Sequence, residues 1–109
     1  ESAYPKINIT DFILMNRSLR LDSLLQQNQI EFAHHENSIT IDLSTMSYNT
    51  IYKIRYKLEG LDSDWKIADR THELVYPYLP PGSYRLLVKT MNTEGVEGRE
   101  LALLNFAIG

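Results

Sequence analysis

Leu79-Pro80-Pro81-Gly82-Ser83-Tyr84 runs directly into Arg85-Leu86-Leu87-Val88-Lys89. The prolines preset φ and the glycine admits backbone angles closed to other residues, so local chemistry specifies a turn here. The residues that follow alternate, with Tyr84, Leu86, Val88 and Thr90 on one side. This is the pattern of a strand with one face in a core. A tyrosine at the head of such a strand can bury its ring and return its hydroxyl to the backbone of the turn. A chain with this corner must supply a second layer to cover the ring.

The rest of the chain supplies strands. Lys6 to Met15 alternates at Ile7 and Ile9, then slips phase to Phe12 and Leu14, which predicts a bulge near Asp11. Arg17 to Gln29 carries Leu19, Leu21, Leu24 and Leu25, a run too short for a secure helix, and reads as a loop with one helical turn. Gln29–Ala33 and His72–Tyr76 are short strand candidates. Ser38–Met46 places Ile39, Ile41 and Leu43 on one face. Ile51–Glu59 places Tyr52, Ile54, Tyr56 and Leu58 on one side and Lys53, Arg55, Lys57 and Glu59 on the other. Leu101–Ile108 closes the chain, with Ala102, Leu104, Phe106 and Ile108 expected inward. Gly60-Leu61-Asp62-Ser63-Asp64 and Asn92-Thr93-Glu94-Gly95 fall where turns are needed.

About seven strands with one wet face and no long helix predict an all-β fold, an immunoglobulin-like or fibronectin-III-like antiparallel sandwich. In that fold the Tyr84 arrangement is a tyrosine corner, with Leu79, Pro81 and Gly82 shaping it. Tyr56, Tyr76 and Tyr84 are expected as core residues with a polar handle. Trp65, the only tryptophan, is expected at the core edge. No repeat or linker divides residues 1–109, so one domain is expected.

Composition narrows function by exclusion. The chain has 109 residues, 43% hydrophobic and 23% charged, ordinary values for a globular domain. Its net charge of −3 gives no global positive field for nucleic acid. The absence of cysteine excludes disulfides and thiol catalysis and leaves the redox compartment open. No apolar run approaches the ~18 residues of a membrane span, and no signal peptide opens the sequence.

Candidate sites divide on side-chain type. His34-His35 would point to opposite faces of a strand and has no third ligand nearby, which argues for surface residues and against a metal. His72 is distant in sequence. Asp62, Asp64 and Asp69 lack the rest of a calcium loop; turn aspartates bonding local amides explain the first two. No acid/base pair, nucleophile elbow or phosphate-cradling loop is present, so neither catalysis nor a cofactor is expected. Tyr76 and Tyr78 flank Pro77, and one of them must face out; Tyr78 is the better candidate for a stacked sugar. Lys53, Arg55 and Lys57 project from one strand and Arg85 and Lys89 from another, neighbours in a fibronectin-like sheet. Two readings of this basic face stand: a solvated face with Glu97 and Glu100 as counter-charges, or a surface for an anionic glycan, a lipid headgroup or a second protomer.

Three stretches carry a resemblance. Tyr56-Lys57-Leu58-Glu59-Gly60-Leu61-Asp62-Ser63-Asp64-Trp65, Val75-Tyr76-Pro77-Tyr78-Leu79-Pro80-Pro81-Gly82-Ser83-Tyr84 and Val88-Lys89-Thr90-Met91-Asn92-Thr93-Glu94-Gly95-Val96 together resemble the Y_Y_Y domain. Its three tyrosines would be Tyr56, Tyr76 and Tyr84. Ser38-Ile39-Thr40-Ile41-Asp42-Leu43 and Tyr48 are similar to its upstream strand and loop, so the resemblance spans about 29–108. It implies a non-enzymatic, membrane-proximal periplasmic module of a hybrid two-component sensor of gut Bacteroidetes. The implied parent is an inner-membrane histidine kinase and homodimer, in which a β-propeller glycan sensor precedes this module and a transmembrane helix follows near Gly109. A stand-alone fibronectin-like carbohydrate-binding or adhesion module is the alternative. The N-x-Ser/Thr matches at Asn8 and Asn16 would carry no weight in the bacterial source that the resemblance implies. Glu97 in Gly95-Val96-Glu97-Gly98-Arg99-Glu100 stands where the family often has an aromatic, which removes the expected apolar contact from this loop to a neighbouring domain.

Overall fold

The structure is a computed structural model and describes residues 6–27, 29–45, 52–69 and 71–109. Tyr48 and the strand ends at Met46 and Ile51 lie outside the described residues. The elements run β1 (Ile7–Leu14), β2 (Arg17–Ser18), α1 (Leu21–Leu24), β3 (Ile30–Phe32), β4 (Ile39–Thr45), β5 (Lys53–Glu59), β6 (Lys66–Ile67), β7 (Glu73–Tyr76), β8 (Gly82–Met91) and β9 (Leu101–Ile108). They form a four-stranded sheet, β2-β1-β4-β7, and a five-stranded sheet, β3-β9-β8-β5-β6. The fold is therefore the expected all-β, immunoglobulin-like sandwich. Its seven longer strands match the expected number, and β2 and β6 add two-residue pairings that alternation cannot reveal.

Between the sheets, Phe12, Ile39, Ile41, Ile54, Leu58, Leu74, Leu79, Leu86, Val88, Phe106 and Ile108 are each under 2% exposed or close to it. Apart from Leu79, which lies in the turn before β8, these are the inward residues of the strands. The β1 bulge falls between Ile9 and Asp11. It reconciles two phases, because Ile7 lies at an odd position and Phe12 and Leu14 at even ones, yet all three are buried.

Two features depart from expectation. β3 pairs parallel to β9, with Ile30 opposite Phe106 and Phe32 opposite Ile108. The chain passes from the four-stranded sheet at β2 to the five-stranded sheet at β3, and β3 lies alongside β9 running in the same direction. β9 also shifts register: Leu86 faces Leu104, but Leu87 faces Ala102. The extra residue, Leu103, reverses the phase. Ala102, expected inward, is exposed, and Leu101 and Leu103 pack against the core.

Met15 and Asn16 connect β1 to β2 with φ of 52° and 69°. Two positive φ values in a two-residue hairpin loop define a type I′ turn. A left-handed methionine costs about 1–2 kcal/mol, a cost that asparagine partly avoids. Met15→Asn is therefore expected to raise stability by roughly 0.5–1 kcal/mol, measured by urea denaturation with an unchanged m-value.

Candidate functional site

The Leu79–Tyr84 turn leads into the core. Leu79 is fully buried and Tyr84 is 5% exposed, while Pro81 and Gly82 lie on the surface of the turn. The Leu79 N–H donates to the Asn37 carbonyl at 2.9 Å, which ties the corner to the chain entering β4. The Tyr84 hydroxyl donates to the Pro80 carbonyl, and its ring stacks on Phe106 at 5.4 Å. Burial pushes the Tyr84 phenol above its ordinary pKa, with a smaller contribution from Tyr78. Tyr84→Phe removes one hydrogen bond and leaves the Pro80 carbonyl without this donor. A loss of about 1 kcal/mol is expected on chemical denaturation.

The other two tyrosines differ from each other. Tyr76 is 6% exposed and its hydroxyl is buried without a hydrogen-bond partner among the described residues. Desolvation first, then the negative potentials of Asp62 and Tyr56, push its pKa well up. Tyr56 is only half-buried and packs against the rim of the core. Tyr78 is 61% exposed, so it is the outward member of the pair around Pro77.

The outer face of the five-stranded sheet gathers the charged residues. β5 and β8 are antiparallel neighbours, with Arg55 opposite Lys89 and Glu59 opposite Arg85. The Asn92–Gly98 segment folds back over this end. The Asn92 N–H donates to the Val96 carbonyl at 3.0 Å, the Gly98 N–H to the Thr90 carbonyl at 2.8 Å, and Met91 and Glu97 form an antiparallel bridge. The Asn92 side chain accepts from the Glu94 and Val96 amides at 2.9 and 3.0 Å. This places Glu97 between two cations. One carboxylate oxygen lies 2.6 Å from an Arg55 terminal nitrogen and the other 2.8 Å from Lys89 Nζ. Lys89 Nζ also sits 4.2 Å from the centroid of the Trp65 ring, a cation–π contact.

Trp65 is thus not at the core edge. Ile67 pairs with outward-facing Arg55, and Trp65, two residues earlier, shares that side. Arg85 pairs with Glu59 at 2.9 Å across the surface. Lys53 is exposed and Lys57 half-buried, and neither makes an ion pair among the described residues. Glu97 is the principal counter-charge of this face; Glu100 makes no ion pair among the described residues.

Lys89 and then Arg55, by hydrogen bonds and charge, hold the Glu97 carboxyl below its usual value of 4.5. A depressed folded pKa stabilises the fold above the unfolded value, and that contribution is lost as pH falls through the folded one. Glu97→Gln is therefore expected to cost stability near neutral pH and progressively less below the ordinary glutamate range. Parallel thermal melts of both proteins across that range measure this; a pH-independent difference would contradict it.

The remaining candidates are structural. His34 and His35 lie in an exposed turn rather than on a strand, with rings 5.6 Å apart edge to face. The Glu36 carboxylate closes that turn by accepting from the Ala33 amide at 2.8 Å. Asp62 accepts from the Leu58 amide at 3.0 Å and pairs with Lys66 at 3.2 Å, which closes the turn after β5. Asp69 accepts from the Thr71 hydroxyl and amide. Among the described residues no group of three or more His, Asp and Glu is placed to hold a metal, and no helix is long and apolar enough to cross a membrane. A recess of about 320 Å³ is lined by Gln29, Glu59, Ser83, Arg85 and Asn105. Its aromatic neighbour, Tyr84, is turned into the core, so it offers no exposed ring for a sugar.

The family model of the Y_Y_Y domain matches residues 45–109, more than half of the sequence. The chain belongs to the Y_Y_Y domain family. The match runs from the end of β4 through β9 and contains Tyr56, Tyr76 and Tyr84. The Y_Y_Y fold is shared with two crystal structures of the extracellular domain of BT4673 from B. thetaiotaomicron, assigned in one as a one component and in the other as a hybrid two component system. Each has a TM-score of 0.80, at 22% and 23% identity, over 100% of this chain and 16% of that one. The extracellular domain of BT3049 from the same organism, also assigned to a hybrid two component system, aligns with TM-score 0.79 at 21% identity over 96% of this chain and 15% of that one. The Y_Y_Y chain therefore spans about one sixth of the length of these extracellular-domain chains. No curated protein matches the sequence.

Proposed function

We propose that the whole chain is one Y_Y_Y domain serving as a non-enzymatic, membrane-proximal periplasmic module of a hybrid two-component sensor. In this reading it passes a rearrangement from a β-propeller glycan sensor to a transmembrane helix and histidine kinase, through the relative movement of two protomers. The family match over 45–109 carries the proposal. The shared fold with extracellular domains assigned to hybrid two component systems supports it. Mechanically, a sandwich with a closely packed core moves as a rigid body and transmits displacement without absorbing it.

These 109 residues contain no cysteine, so a cysteine introduced here is distinguishable once any elsewhere in the parent are replaced. Val75 is 56% exposed on β7, the edge strand of the four-stranded sheet. In the full-length parent, Val75→Cys is expected to cross-link between protomers with a yield that changes when the sensor's glycan is added, and kinase autophosphorylation should change in step. A parent without a membrane helix and kinase, or one whose glycan response survives excision of this domain, would overturn the reading.

A further inference from the structure

We propose that Arg55, Lys89 and Trp65 form a carboxylate-binding site that Glu97 fills from within the chain, and that in its open state the site takes a glutamate or aspartate from an extended acidic segment of a partner protein. Two cations from neighbouring strands converge on one carboxylate, at 2.6 and 2.8 Å, beside an aromatic face. Glu97 does not complete the site. Its two oxygens are divided between Arg55 and Lys89, so the guanidinium contributes a single nitrogen. Arginine binds carboxylates most strongly as a two-pronged fork, and Glu97 takes only one prong, at Nη1.

The manner of internal occupancy identifies the external ligand. Glu97 is presented just past the turn at Thr93–Gly95, from a single residue that bridges antiparallel to Met91 at the end of β8. A partner strand entering in the same way would present its carboxylate to the same two cations. Lys53 and Lys57 flank the site on β5 without ion pairs among the described residues and favour an acidic segment. Because Glu97 is tethered nearby, it competes at high effective concentration, and a partner binds only in proportion to the open fraction. The site is built from side chains of this chain alone and does not depend on the sensor reading.

The probe is the end-blocked peptide of residues 93–100, with a control peptide carrying Gln at the position of Glu97. The single tryptophan, Trp65, reports binding by fluorescence. The Glu97→Gln chain is expected to bind the acidic peptide at least tenfold tighter than the wild-type chain and to discriminate against the control peptide. Adding Arg55→Lys, which keeps the charge and removes the fork, should abolish most of that gain, whereas adding Lys53→Gln should change it less than threefold. Equal binding by wild-type and Glu97→Gln chains, equal binding of the two peptides, or equal losses from Arg55→Lys and Lys53→Gln would each overturn the proposal. Should Glu97→Gln not fold, the wild-type chain is titrated with millimolar peptide and followed at the Arg55 Nε–H NMR resonance: a saturable shift supports the site and no shift overturns it.

Discussion

Gly60→Ala is expected to be among the most damaging single-methyl additions this chain can receive. Gly60 has φ of +103°, and a Cβ there would lie 2.4 Å from the Ser83 carbonyl oxygen and 2.9 Å from Tyr84 Cδ1. The first obstacle is backbone of the neighbouring strand β8, and the second is a ring stacked on Phe106, so neither yields easily. An L-residue in such a conformation costs about 1–2 kcal/mol, and overpacking adds about 1–3 kcal/mol. A total near 3 kcal/mol corresponds to a fall in Tm of roughly 15 °C for a chain of this size. Gly95→Ala is the control. Gly95 also has positive φ, +85°, but a methyl group there would meet nothing within 4 Å. It should lose only the conformational part, about 1 kcal/mol. If thermal melts by circular dichroism show the two variants losing the same stability, close approach at Gly60 is not what constrains that position.

This contact also shows why Gly60 lies opposite the tyrosine corner: the turn after β5 rests on the head of β8. Local chemistry in the sequence marks both turns but not their meeting, because proximity depends on register across strands. Alternation makes β4, β5 and β8 legible, and opposed parities at Ile7 and Phe12 reveal the β1 bulge. Leu101-Ala102-Leu103-Leu104 is apolar throughout and carries no phase, so the β9 bulge is hidden. Met15-Asn16 lacks the Asn-Gly signature of a hairpin, and β2 is hidden with it.

The candidate site is legible in its parts and not in its assembly. The Lys and Arg face and its counter-charge Glu97 follow from alternation and from the turn position. That Glu97 joins two cations at once depends on Arg55 standing opposite Lys89, and Glu97 is 42 residues from Arg55. Trp65 departs from expectation because burial of so large a ring is the usual outcome; on this sheet its plane covers Lys89 instead.

Phe106→Ala is the second large effect, and it tests whether the corner depends on what stands behind it. Phe106 is fully buried on β9 and meets three rings: Tyr84 at 5.4 Å, Phe32 at 6.0 Å and Phe12 at 6.3 Å. Those neighbours come from β8, β3 and β1, so one side chain joins both sheets. Truncating a buried phenylalanine to alanine costs about 3–5 kcal/mol, a large share of the roughly 5–15 kcal/mol that holds a domain together. Phe32→Ala should cost clearly less, because Phe32 is half-buried on the edge strand β3. The Tyr84–Phe106 pair adds a sharper measurement. Stacked rings couple by about 0.5–1.5 kcal/mol beyond their burial, so a double-mutant cycle between Tyr84→Leu and Phe106→Leu should return a coupling of that size. A coupling near zero would mean that the tyrosine corner is held by its hydrogen bond to Pro80 and its burial alone; a coupling in the stated range makes Phe106 the residue through which the corner, the parallel edge strand and the opposite sheet support one another.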